Sequence, residues 1–155
     1  MPFPRVNIRV RARAADLPIG EKLWHDRGRV MQRSVTSTEG DTTTVRIETA
    51  GEFTGVGRAA GIDGKYVATG IALRGKGNVR SASFQEIFTT SGGETILIQG
   101  NQLGKLDQET SKVLSILTFS TASERISWIN DLILIREGYN DPDDEEFSGS
   151  ISEWL

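Results

Sequence analysis

From Lys65 to Arg136 the chain is written largely in period two, with apolar and polar residues alternating in short runs set apart by glycine-bearing turns. No other feature constrains the fold as much, because side chains on a strand point alternately to opposite faces, whereas a helix needs a period near 3.6. Tyr66–Arg74 reads as one strand and Arg80–Thr89 as the next, with Phe84, Glu86 and Phe88 on one face and Ser83, Gln85 and Ile87 on the other. Ser91-Gly92-Gly93 marks a hairpin and Glu94–Gln99 its return strand. Gly100–Lys112 reads as a polar loop, Val113–Thr118 as a strand, Ser120–Ser127 as a connector and Trp128–Arg136 as the last strand. Upstream, Val6, Ile8, Val10 and Ala12 alternate with Arg5, Arg9, Arg11 and Arg13, the mark of a half-buried strand. Residues 15–28 read as a loop with at most a helical turn at Gly20–Trp24, and Arg29–Thr36 and Thr42–Thr49 as strands. Short strands with glycine turns and little helix predict an all-β fold, barrel or sandwich.

A chain of 155 residues holds one domain. We expect a β-barrel domain over residues 1–138 and an acidic C-terminal tail over 139–155. In that tail Phe147, Ile151, Trp154 and Leu155 share one side of a short docking helix, unless the segment is disordered. Cysteine is absent, which excludes disulfides, thiolate metal sites and a thiol nucleophile. The N-terminus shows no charged leader before an apolar block, and no run of 18 apolar residues occurs, so a cytoplasmic location without membrane contact is the default expectation. Residues 1–33 carry eight Lys or Arg against three acids, while residues 139–155 carry six acids and no base. A nucleic-acid surface would need a second basic cluster and interleaved aromatics, so a solvated strand face is the better reading and no nucleic-acid partner is expected. A homodimer or other homo-oligomer is expected from the uneven charge. The glycines from Gly51 to Gly64 lack the Lys-Ser or Lys-Thr of a phosphate loop and are read as bends in a sheet.

The stretch Phe119-Ser120-Thr121-Ala122-Ser123-Glu124-Arg125-Ile126-Ser127-Trp128-Ile129-Asn130 and the hairpin Phe88–Ile98 resemble the pattern of a family of uncharacterised bacterial barrel proteins. Those proteins are related in fold to allene oxide cyclase and, more distantly, to dirigent proteins. The resemblance spans roughly residues 45–138 and implies a single antiparallel barrel of about eight strands. It departs at Glu86, where the family's hairpin usually has tyrosine, and at Ser127, where it has alanine. The N-terminal third, with Trp24 and His25, does not match.

Glu86 is the carboxylate of most interest. Between Phe84 and Phe88 on an inward face it would hold its proton above the ordinary range and suit proton transfer. Alternatively it braces the barrel against Arg46 or Arg80. Tyr66 shares its face with Ala68, Gly70 and Ala72, small neighbours that leave space for a ligand or another packed strand. Asn130, on the face of Trp128, either orients a ligand or caps a turn. Arg46 and Glu48 read as exterior. His25, the single histidine, sits beside Trp24 either as a pocket-mouth acid or base or as a surface residue. The acids at 143–146 lack the spacing of a calcium loop, so no metal is expected. The leading reading is a cofactor-independent isomerase or cyclase acting on a small apolar or aromatic metabolite. Glu86, Asn130 and Tyr66 would be catalytic, with Phe84, Phe88, Trp128, Trp24 and His25 binding substrate. A non-catalytic ligand carrier and an assembly module with a filled interior are the alternatives.

Overall fold

The computed structural model describes residues 18–107, 110–141 and 145–155. The alternating segment Val6–Ala12 with its arginines, and Asp143 and Asp144 of the acidic run, lie outside the described residues. Eight strands form a closed antiparallel barrel in sequence order. They are β1 (Ile19–Glu39), β2 (Thr42–Gly55), β3 (Gly64–Arg74), β4 (Val79–Thr90), β5 (Thr95–Leu106), β6 (Ser111–Thr121), β7 (Ile133–Asn140) and β8 (Glu146–Trp154). Closure comes from β1 pairing with β8, in a register that sets Trp24 opposite Ile151 and Asp26 opposite Gly149. A closed barrel has no exposed sheet edge, so every strand has two neighbours for its backbone hydrogen bonds. No helix among the described residues is long and apolar enough to cross a membrane.

The barrel agrees with the sequence pattern, and several of its elements depart from it. Residues 19–28 belong to β1 rather than to a loop. Their inward set is Trp24, Asp26 and Gly28, and an aspartate and a glycine hide the apolar half of the alternation. Likewise β5 runs on to Leu106 and β6 begins at Ser111, where a polar loop was expected over 100–112. The inward residues there include Gln102 and Gly104, small or polar because they face a cavity, and Gly100, where an added Cβ would fall 2.4 Å from the Phe84 ring and 2.6 Å from the Leu117 side chain. Trp128–Asp131 is not strand but part of a 3-10 segment, Glu124–Asp131, and β7 starts only at Ile133.

The expected tail is the closing strand. The described part of residues 139–155 forms the end of β7 and β8, with no docking helix. Phe147 and Ile151, four residues apart, lie on one side of a helix but equally on one face of a strand, because four is a multiple of two. Trp154 falls seven residues from Phe147 and is substantially exposed.

Interior side chains sort by height. Leu23, Trp24, Phe53, Phe88, Ile96, Phe119, Leu134 and Ile151 form an apolar core at one end. Two 3-10 segments, Gly57–Ala59 and Glu124–Asp131, cap that end, and Ala59, Ile62, Ile126 and Ile129 are buried in it. Trp24 stacks on Trp128 with ring centroids 6.3 Å apart and donates its indole N–H to the Ile62 carbonyl at 3.0 Å. We call this the packed end. The other end, toward the β1–β2, β3–β4, β5–β6 and β7–β8 turns, holds a cavity.

Candidate active site: a cavity floored by a buried charge network

The cavity is open at its mouth and, with the solvent there included, spans about 910 Å³. Its walls come from alternate residues of several strands: Ala68, Gly70 and Ala72 of β3, Ala82, Phe84 and Glu86 of β4, Gln102 and Gly104 of β5, Ser111 and Val113 of β6. The run of alanine and glycine on β3 is what opens the space. A side chain at each of those positions on the scale of Ile96 or Leu117 would fill it, as happens at the packed end.

Four polar side chains lie between cavity and core. Arg136 of β7 is almost wholly buried and donates from Nη2 to Asp26 Oδ2 of β1, 110 residues away in sequence. The two strands are not neighbours, because β8 lies between them. The ion pair crosses it at Gly149, where an added Cβ would lie 3.0 Å from Asp26 Oδ1 and 3.4 Å from Arg136 Nε. Arg136 Nη1 also approaches Glu86 Oε1 at 3.8 Å, and its guanidinium sits 5.2 Å from the Phe147 ring centroid. Tyr66 completes the group. Its hydroxyl occupies space left by two glycines, since a Cβ at Gly28 would fall 2.3 Å from that oxygen and one at Gly51 2.6 Å. A Cβ at Gly51 would also fall 2.2 Å from the Arg27 carbonyl oxygen, so glycine there admits the close approach of both the neighbouring strand and the Tyr66 ring.

Burial governs the protonation of this group. It pushes the Glu86 carboxyl up to about 7, with the Asp26 charge adding to the rise and Arg136 opposing it. Burial also raises the Asp26 carboxyl, against the pull of Arg136. For Arg136 burial works against the charge, but Asp26 and Glu86 outweigh it and hold the guanidinium firmly protonated. The Tyr66 hydroxyl is pushed far up by burial and stays neutral. Among the described residues, Glu86 Oε2 and Asp26 Oδ1 are buried without a hydrogen-bond partner, as is Arg136 Nε. Buried polar atoms are nearly always satisfied, so this cluster beside the cavity is the candidate site.

Of the residues singled out from sequence, Glu86 and Phe84 line the cavity, and Tyr66 lies in its floor network. The proposed brace to Arg46 does not form, because Arg46 lies outside and pairs with Glu48 at 3.6 Å. The other assignments fall elsewhere. Phe88 and Trp24 are fully buried in the packed core, and Trp128 caps that end. Asn130 caps a turn: its Oδ1 accepts from the Thr121 N–H at 2.7 Å and its Nδ2 donates to the Thr121 carbonyl at 3.1 Å. His25 alternates with inward Trp24 and Asp26 and is exposed on the outer wall. These residues share strand faces or sequence proximity with the site but not its height in the barrel. Arg136 and Asp26 were missed. In sequence, Arg136 ends an apolar strand and Asp26 falls in a segment that reads as a loop. The available signal was their parity: each stands two residues from a buried apolar side chain, Leu134 and Trp24. Among the described residues no three His, Asp or Glu side chains gather as metal ligands would.

No family model matches the sequence, and no curated protein matches it either. Solved structures do match in fold. A conserved protein of unknown function from Rhodopseudomonas palustris is 11% identical, with a TM-score of 0.73 over 87% of this chain and 96% of that one. A beta-barrel like protein from Acinetobacter baumannii is 13% identical, with a TM-score of 0.72 over 87% and 94%. An enzyme from Penicillium herquei is 18% identical, with a TM-score of 0.65 over 88% and 95%. At these identities the likeness concerns the fold, and the fold this chain shares with them is a closed eight-stranded antiparallel β-barrel.

Proposed function

We propose that the protein is a cofactor-independent isomerase or cyclase that moves a proton on a small molecule held in the barrel cavity. One observation carries the reading: Glu86 faces the cavity, and there it is buried, which pushes its carboxyl up to about 7, and presents an oxygen that no described protein group engages. A carboxyl with that proton affinity takes a proton from carbon or oxygen at neutral pH and returns it to another atom of the same molecule, so the reaction needs no oxidant or reductant. Neutral Tyr66 stands by as a hydrogen-bond donor. Arg136, anchored by Asp26, balances the charge that Glu86 acquires when it gives up its proton. The dry walls hold the substrate in a reactive shape. The enzyme from Penicillium herquei indicates that such a barrel can host catalysis. The resemblance to allene-oxide-cyclase-related barrels belongs to the same proposal.

The test is hydrogen–deuterium exchange in D₂O at the acidic carbons of small aromatic ketones such as 2-tetralone, followed by NMR. The wild-type protein is expected to accelerate exchange, and Glu86→Gln to lose about 100-fold or more of that acceleration. Equal acceleration by both proteins would remove Glu86 from the chemistry. Retained ligand affinity in Glu86→Gln, without any exchange in the wild type, would leave the same cavity as that of a carrier.

A further inference from the structure

The outer wall of the barrel divides into two halves of different chemistry. On β1 and β2 it carries charge in mid-strand, with Arg27 and Arg29 on the first and Arg46, Glu48 and Glu52 on the second. On strands β3 to β7 the exposed charges lie at the margins, Lys65 toward the packed end and Lys105, Lys112 and Glu137 toward the cavity end. Between those margins the wall is apolar or neutral. Val67, Ile87 and Leu97 form a row across β3, β4 and β5, each directly opposite the next. Leu103 and Leu114 are opposite each other on β5 and β6 in a second row, nearer the cavity end. The band between the rows holds neutral polar pairs, Gln85 opposite Gln99 and Ser83 donating to Asn101 Oδ1 at 3.0 Å. Val67 and Leu103 are each 58% exposed, and the other aliphatic residues of these rows about half exposed.

A closed barrel has no free edge, so it cannot recruit a partner by adding a strand, and association must run face to face through side chains. The exposed aliphatic side chains of β3 to β7 leave on the order of 500 Å² of apolar surface uncovered, taking about 100 Å² for a whole side chain. An interface of standard size takes about 800 Å² from each partner, and between identical chains about 65% of it is apolar, which is the same apolar area. Charge selects the partner. A two-fold contact sets one patch against itself, so a charge in mid-patch meets its own kind, and this half of the wall is the one without such charges. A bilayer would need an apolar band around the whole barrel, and the charged wall of β1 and β2 breaks it.

We propose that the outer wall of β3–β6 docks a second copy of this chain, face to face about a two-fold axis, with the two apolar rows and the neutral band between them as the contact. The contact uses the side of the barrel and not its end, so it is independent of the cavity and of any chemistry at Glu86. The uneven charge between the two ends of the sequence plays no part in it, and the dimer is therefore insensitive to salt.

Sedimentation velocity of the full chain over a dilution series reads the mass. The wild-type protein is expected at twice the 17.0 kDa of one chain, and to stay there from low to high salt. Leu97→Lys and Leu103→Lys each put a charge in mid-patch and are expected to weaken the dimer at least about 100-fold, whereas Arg27→Ala on the charged wall leaves it intact. Carbene footprinting of the wild type needs no variant. Leu97, Leu103 and Ile116 should be protected in the dimer and labelled once dilution dissociates it, with Met31 and Val35 of β1 labelled throughout. A monomer at every concentration overturns the proposal, as does a dimer that salt disperses or that survives both lysine substitutions. Protection of the same residues in the monomer would assign the wall to another segment of the chain, and flotation of the protein with phosphatidylcholine vesicles would assign it to a lipid surface; either result also overturns the proposal. None of these readouts depends on catalysis, so a failed exchange experiment and a failed association experiment remain distinct results.

Discussion

The same strands build two ends of opposite character. On β5 the inward residues begin with Ile96 and Ile98 and continue with Gly100, Gln102 and Gly104. On β6, read the other way, Phe119 and Leu117 give way to Ser115, Val113 and Ser111. On β4, Phe88 gives way to Glu86, Phe84, Ala82 and Arg80. Each strand is therefore part core and part wall, divided at the height of the Asp26–Arg136–Glu86 cluster. Two carboxylates show the difference in environment. Glu94, at the packed end, is held below its ordinary range, first by hydrogen bonds from Arg125 and Ser123, in contact with solvent. Glu86 is driven upward by burial beside an arginine already engaged by Asp26. Placing the core at one end lets the other carry uncomfortable charges without the barrel depending on them for its shape.

The contrast can be broken most severely at the dividing layer. Arg136→Met leaves Asp26 and Glu86 buried without their cation and is expected to cost about 3–5 kcal/mol in chemical denaturation. Adding Asp26→Asn and Glu86→Gln should recover most of that loss. If the single variant is as stable as wild type, the layer is not a coupled charge network.

A comparable loss is expected at the packed end, where Phe53→Ala removes a ring in contact with Tyr66 and Phe88 and should cost about 3–5 kcal/mol. Phe84→Ala, whose ring faces the cavity, should cost clearly less. Equal losses would mean that the two ends are packed alike.

A pH series sharpens the comparison. Glu86 keeps its proton to about 7 in the folded protein against an ordinary 4.5, so between those values the folded state binds more protons than the unfolded one. Its contribution is fully present below pH 4.5 and is lost as pH rises through 7. The stability difference between wild type and Glu86→Gln should therefore move in favour of the variant across that window, by on the order of 3 kcal/mol. A difference that stays flat with pH would show that Glu86 titrates normally.

Smaller effects follow from enlarging an alanine. Ala59→Leu at the packed end should cost about 1–3 kcal/mol through overpacking, whereas Ala72→Leu should extend into the cavity at little cost. Smallest of all, Arg125→Ala, which removes the exposed partner of Glu94, should leave the denaturation midpoint unchanged within error.

Much of the architecture was written locally. The alternation from Tyr66 to Thr90 assigned β3, β4 and their faces, and it put Glu86 beside Phe84 and Phe88 and Tyr66 beside two alanines and a glycine, as the barrel has them. Period two carries that information because it depends only on neighbouring residues. It failed where a strand turned polar or glycine-rich on its inward face: in β1, where Asp26 pairs with Arg136 and Gly28 makes room for Tyr66, and in the outer half of β5, where the inside is a cavity and not a core. Height along the barrel was invisible too: Phe88 and Phe84 share a face, yet one lies in the core and the other on the cavity wall.

The sequence by itself thus determined an all-β chain and the two faces of its central strands, with Glu86 on the face of Phe84 and Phe88; that this face is the inner one came from the barrel. Only the tertiary structure decided that residues 146–154 close the ring, that Asp26 meets Arg136 across Gly149, and that His25 and Asn130 stand apart from the cavity. The physical reason is closure. The register between the first and last strands is fixed by contacts more than a hundred residues apart, and that register determines which charges share one layer of the interior.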